Sequence, residues 1–244
     1  MTARGDLVLA VWDVDGTLVD SRRSITKAMD AAFVAEGLPA PGFERTRQIV
    51  GLSLEAGIAQ IAPPDISSPM LDKLVDAYKS AFIAQRESGD LDEPMFEGAL
   101  ETLERLSEAG WLQAVATGKA RRGLDKVFER HPIGQHFLSV HTACAGHGKP
   151  HPRMVLEAME TAGVAPARTV VIGDTAHDMA MARNAGARGV GVSWGFHEAE
   201  EIEAGGAHEL HADFASLNAS LDRFAAGLEA AEIASGAGAR DDVA

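Results

Sequence analysis

The chain has 244 residues, 46% hydrophobic and 24% charged, enough for one or two domains around a buried core. A formal charge of −14 excludes a general affinity for nucleic acid or for an anionic membrane surface, both of which need a basic face. Cys144 is the single cysteine, so no intrachain disulfide can form, and the N-terminal apolar run is far shorter than the ~20 residues of a membrane span. A cytoplasmic protein, monomeric or homodimeric, is expected.

Residues 7–12 form an apolar, β-branched run with the length of a buried parallel strand. Asp13 and Asp15 follow at its end and leave roughly the same side of the chain, because strand side chains alternate. Gly16 then frees the backbone for a sharp turn. The pattern next becomes helical. Ile25, Ala28, Met29, Ala32 and Phe33 recur at helical spacing up to Gly37 and Pro39. Residues 45–62 are less regular, Pro63 and Pro64 break the pattern, and Ser68 with Pro69 has the form of an N-cap and first-turn pair. Leu71, Leu74, Val75, Tyr78 and Phe82 then make one apolar stripe. With no strand-like alternation in this block, residues 20–91 are expected to be an α-helical insert.

From Gly98 onward helices and strands alternate. Strands are expected at 111–116, ending at Thr117, and at 137–141, 169–172 and 189–192, with helices between them closed by Gly110, Gly163 and Gly186. This order implies an α/β fold, a doubly wound parallel sheet with right-handed crossovers, built from residues 1–19 and 92–228. Leu217, Leu221 and Phe224 suggest a last helix. Residues 229–244 have almost no apolar bulk and are expected to form a flexible tail.

Chemistry-bearing residues gather at the predicted strand ends, where open α/β sheets bind ligands. Asp13 and Asp15 lie in DVDGTLVDS, and Thr117 and Gly118 in AVATGK, where a hydroxyl and an amide can hydrogen-bond an anionic oxygen. Lys149 lies in GKPHP, just before a predicted helix. Asp174 and Asp178, four positions apart, lie in VVIGDTAHD. Each string alone has an ordinary explanation as a turn, a cap or a solvated charge.

Taken together and in this order, the four strings resemble the motifs of the haloacid dehalogenase superfamily of phosphohydrolases along roughly residues 7–195. The helical insert resembles the subclass with an α-helical cap after its first motif. Residues 192–195 and the Glu-rich segment after them are similar to phosphoglycolate phosphatase-like members. The family often has Asn after the Ser/Thr of its second motif, whereas this chain has Gly118.

The resemblance implies a phosphatase acting on a small-molecule phosphate monoester, with Asp13 attacking phosphorus and Asp15 serving as general acid and base. Thr117, Gly118 and Lys149 would bind the phosphoryl group. Mg2+ would be held by Asp13, Asp174 and the backbone carbonyl of Asp15, with Asp178 in support through a metal-bound water or through Lys149. A phosphosugar mutase of the same superfamily and a regulatory phosphoprotein are the alternatives. Arg22, Arg23, Lys27, Arg45 and Arg47 are candidates to meet an anionic substrate tail, and residues 51–53 to face the site.

Overall fold

In the computed structural model, residues 7–143 and 148–238 are described, with the side chains of 229 and 231–238 excepted. Cys144 and residues 239–244 of the expected tail therefore lie outside the described residues.

Six strands form one sheet in the order β3-β2-β1-β4-β5-β6, with β1 Leu9–Trp12, β2 Leu112–Thr117, β3 Ser139–Thr142, β4 Thr169–Gly173, β5 Arg188–Val192 and β6 Glu209–His211. Every pairing is parallel, in the register Leu9 to Leu112 on one side of β1 and Leu9 to Thr169 on the other. Because β1 is flanked on both sides, its successive residues face opposite layers. Ala10 and Trp12 pack with Leu103, Leu106, Leu217 and Leu221, whereas Leu9 and Val11 pack with Met154, Val155, Met181 and Ala182. Trp12 still finds a partner for its indole N–H, which donates to Gln113 Oε1 at 3.0 Å.

Four helices follow β1: α1 Arg22–Ala35, α2 Gly42–Arg47, α3 Leu54–Ile61 and α4 Ser68–Glu87. They enclose an apolar cluster of their own, around Met29, Phe33, Ile49, Ile58, Ile61, Leu74 and Val75. The irregular stretch at 45–62 is irregular because it is two short helices joined by a turn at 48–53. The chain enters and leaves the insert by two adjacent segments, joined through Asp20 N–H to the Pro94 carbonyl (2.8 Å) and Phe96 N–H to the Leu18 carbonyl (3.0 Å). The N-cap position of helix α4 falls on Ser67, one residue before the expected one and without a side-chain capping bond, with Pro69 still in the first turn.

Helices α5 Ala99–Glu108, α6 Arg121–Arg130, α7 Arg153–Ala162, α8 Ala176–Asn184, α9 Ala199–Ala204 and α10 Phe214–Gly238 complete the fold. Helix α10 carries on to Gly238, into the segment expected to form the tail. Alanine has the highest helix propensity, and this stretch is rich in it. No helix among the described residues is long and apolar enough to cross a membrane.

Candidate active site

The sheet order reverses between β1 and β4. Chain continuity runs outward from β1 through β2 to β3, then returns to β4 on the other side, and this switch point is where open sheets form a ligand crevice. Asp13 follows β1 there and Asp174 follows β4. Carboxylate oxygens of Asp13, Asp174 and Asp178 lie within 4.8 Å of one another, and all three side chains are buried.

Lys149 Nζ bridges two of these acids, at 2.7 Å from Asp13 Oδ1 and 2.7 Å from Asp178 Oδ1. Burial opposes the lysine charge, but the two carboxylates outweigh it and raise the pKa above the ordinary lysine value. The other oxygen of Asp178 accepts from the Thr175 hydroxyl at 2.6 Å and the Thr175 N–H at 3.2 Å, closing a capping box that starts α8. Asp178 is thus fixed between a helix N-terminus and the lysine.

Asp174 is held as closely. Its Oδ1 accepts from the Thr17 hydroxyl and its Oδ2 from the Phe196 N–H, both at 2.8 Å. A Cβ on Gly16 or on Gly195 would collide with this carboxylate, so both glycines are needed for the backbone to approach it. Gly16 also has a φ of +84°, a region that favours glycine. The stretch 192–195 therefore helps position Asp174 rather than merely accompanying it.

Asp13 differs from its neighbours in one respect. Its Oδ1 faces Lys149, but its Oδ2 is buried without a hydrogen-bond partner. Burial pushes the Asp13 carboxyl up to about 7, against the pull of Lys149 and helped by the nearby charges of Asp178 and Asp15. Asp174 is raised well above the usual carboxylate range by burial and then by Asp13 and Asp178. A divalent cation would relieve both costs. The donor set is all oxygen and acidic, which suits Mg2+.

A cavity of about 790 Å3 opens in front of Asp13, between the helical insert and the sheet end, and is lined also by Asp15, Thr117 and Gly118. Lys149, Asp174 and Asp178 are buried beside Asp13 and do not line the cavity. All the residues singled out by the motifs thus converge at one end of the sheet. Ser53 and its neighbours in the 48–53 turn line the same cavity. The turn rests on Gly118, where an added Cβ would sit 2.6 Å from the carbonyl oxygens of Gly51 and Leu52. Gly118 replaces the commoner Asn at the point where any side chain would meet the insert.

Two residues absent from the sequence reading complete the site. Lys119 Nζ lies 3.0 Å from Asp15 Oδ1 and 3.5 Å from Glu93 Oε1, with all three side chains at least nine-tenths buried. Burial opposes its charge, yet Asp15 and Glu93 prevail and raise its pKa. Lys119 was visible as the last letter of AVATGK; Glu93, in the returning linker, carried no signal.

The basic residues at 22–47 do not form an anion site. Arg22 pairs with Asp20 (2.5 Å), Arg23 with Asp92 (4.0 Å), Lys27 with Asp90 (3.2 Å) and Arg47 with Glu201 (2.5 Å), while Arg45 donates to the Ile61 carbonyl. None of them lines the cavity. Asp20 and Glu44 match Arg22 and Arg47 from nearby in sequence, while Asp92, Asp90 and Glu201 reach Arg23, Lys27 and Arg47 from far along the chain.

The sequence profile of the haloacid dehalogenase-like hydrolases matches residues 10–192, three quarters of the chain. The chain belongs to this family. Among haloacid dehalogenase-like hydrolases it is 33% identical over 199 residues to a probable phosphatase, IndB, of Dickeya dadantii, covering 80% of this chain and 85% of that one. It is 31% identical over 203 residues to a phosphoglycolate phosphatase of Vibrio parahaemolyticus, covering 82% and 89%. A hydrolase of the same family from Streptococcus pneumoniae superposes with a TM-score of 0.76 at 25% identity, over 88% of this chain and 99% of the other. These likenesses make the protein a phosphoric monoester hydrolase of the haloacid dehalogenase-like family, similar to phosphoglycolate phosphatases.

Proposed function

We propose that the protein is a Mg2+-dependent phosphatase that hydrolyses a small-molecule phosphate monoester through a phosphorylated Asp13. The observation that carries this reading is the Asp13 carboxylate, buried at the switch point, gripped by Lys149 through one oxygen and left with the other unpartnered at the cavity.

Asp13, Asp174 and the backbone carbonyl of Asp15 would hold the Mg2+. When bound, the ion supplies positive charge to the phosphoryl oxygens. The chain's own groups do the rest. Lys149 favours the ionised form of Asp13 and holds it adjacent, and Asp178, locked by Thr175, keeps Lys149 in place. An Asp13 oxygen attacks phosphorus and the bond from phosphorus to the ester oxygen breaks, while Asp15 gives its proton to the departing oxygen. Asp15 then takes a proton from water, which attacks the same phosphorus and frees phosphate and Asp13. The Thr117 hydroxyl and the Gly118 N–H would steady the phosphoryl oxygens. Lys119, shared by Asp15 and Glu93, acts as a positioning residue for the acid–base group. The helical insert serves as the lid over this chemistry.

The test is phosphate release from p-nitrophenyl phosphate, with Mg2+ and with EDTA. EDTA is expected to abolish release, Mg2+ to restore it and Asp13→Asn to eliminate it. Full turnover in Asp13→Asn would overturn the assignment of the nucleophile.

A further inference from the structure

The cavity in front of Asp13 is large, and its walls are mainly apolar. At about 790 Å3 it falls in the range that encloses ligands of drug size, ~300–1,000 Å3. Its far walls come from the insert: Ile25 and Met29 from α1, Val50 and Leu52 from the turn after α2, and Tyr78 and Phe82 from α4. The Tyr78 and Phe82 rings, 5.6 Å apart, present an aromatic flank. A two-carbon carboxylate such as glycolate would leave most of this space to water.

The charges lining the cavity bear on the same question. A short acidic leaving group needs a cation close to the ester oxygen, because a carboxylate against apolar walls is costly. The nearest candidate, Lys119, is occupied by Asp15 and Glu93, and Lys79 lies 3.5 Å from Asp76. Arg122 is exposed, whereas Arg86, a full turn of α4 beyond Phe82, lines the cavity with its Nε buried and without a hydrogen-bond partner, a cation placed to meet a polar substituent on the apolar body.

We propose that the alcohol released from the ester carries an apolar body about the size of an aromatic ring, seated between α1, α4 and the turn at 48–53. The proposal rests on the phosphatase reading and specifies its substrate class. Chemistry occurs at the sheet end, and selection occurs on the walls of the insert.

The experiment compares kcat/KM for ethyl, butyl and benzyl phosphate and for phosphoglycolate, with p-nitrophenyl phosphate reporting the phosphatase chemistry itself. Burial of each added methylene is expected to raise kcat/KM roughly fourfold, so butyl phosphate should exceed ethyl phosphate by about 15-fold. Benzyl phosphate should exceed both, and it should exceed phosphoglycolate. A flat series, or phosphoglycolate as the best ester, overturns the proposal while p-nitrophenyl phosphate turnover keeps the phosphatase reading standing. Loss of turnover on every ester overturns both. In Phe82→Ala the ratio of benzyl to ethyl phosphate should fall at least fivefold, and an unchanged ratio also overturns the proposal. Leu52→Ala, on the facing wall, repeats this test should Phe82→Ala not fold.

Discussion

Asp174 illustrates how little room the site has. Both of its oxygens are tied to core groups, and Gly195 lies so close that a methyl group there must push the carboxylate aside. Displacing a group that orients a metal ligand costs 10–100-fold in affinity as a rule. Gly195→Ala is therefore expected to weaken Mg2+ binding by about that factor while the fold persists, as read by a Mg2+ titration of activity beside circular dichroism. Unchanged Mg2+ affinity would show that Asp174 is not a ligand. Asp13 allows a second test. Its folded-state pKa, about 7, is above its unfolded value, so its contribution to stability is full below the unfolded pKa and is lost as pH rises through 7. Metal binding displaces those protons. The rise in Tm produced by Mg2+ should thus be larger at pH 8 than at pH 5.5. Burial lowers the pKa of His197, with His177 adding to it, a change that affects both measurements at each pH and drops out of the difference.

At the scale of elements, the turn between α2 and α3 closes on the end of β2 only because Gly118 has no side chain. Overpacking of this kind costs about 1–3 kcal/mol when neighbours cannot yield. Gly118→Ala should lower the Tm and raise KM for the ester as the turn lifts, with faster proteolysis within 48–53. A variant with wild-type KM and proteolysis would mean that the turn has another resting place. Other elements show what the sequence can reveal. Strands β1 and β4 are near-continuous apolar runs because they are covered on both faces, and in β2 the run is broken only by Gln113, which bonds Trp12. Strand β6, Glu209–His211, is three half-buried residues at the sheet edge, too short and too polar to show any periodicity. The four motifs were legible because each lies at a strand end or helix start, where spacing along the chain implies position in space. Glu93 and the partners of Arg22, Arg23, Lys27 and Arg47 were not, because an ion pair leaves no periodic trace. The basic residues at 22–47, candidates to meet an anionic tail, are engaged in such pairs, apart from Arg45, which donates to a carbonyl.

Across the whole molecule, a formal charge of −14 surrounds a site meant for an anion. The positive charges nearest the chemistry, Lys149 and Lys119, are buried and already matched by carboxylates. Long-range attraction therefore contributes little to capture, and the surrounding field opposes a dianionic ester. Added salt shortens the reach of that field from ~30 Å at 0.01 M to ~10 Å at 0.1 M. At constant free Mg2+, kcat/KM should rise as KCl is increased from 10 to 150 mM. A fall over that interval would indicate an attractive funnel at the cavity mouth.

The paired hydrogen bonds between the strands of chain at 18–20 and 94–96 have one more consequence. A loop whose two ends already touch can be exchanged for another of different length without disturbing the sheet. Evolution can thus transplant a new selectivity module onto an unchanged catalytic floor, and a chimera made by cutting at these two points should inherit the donor's choice of alcohol.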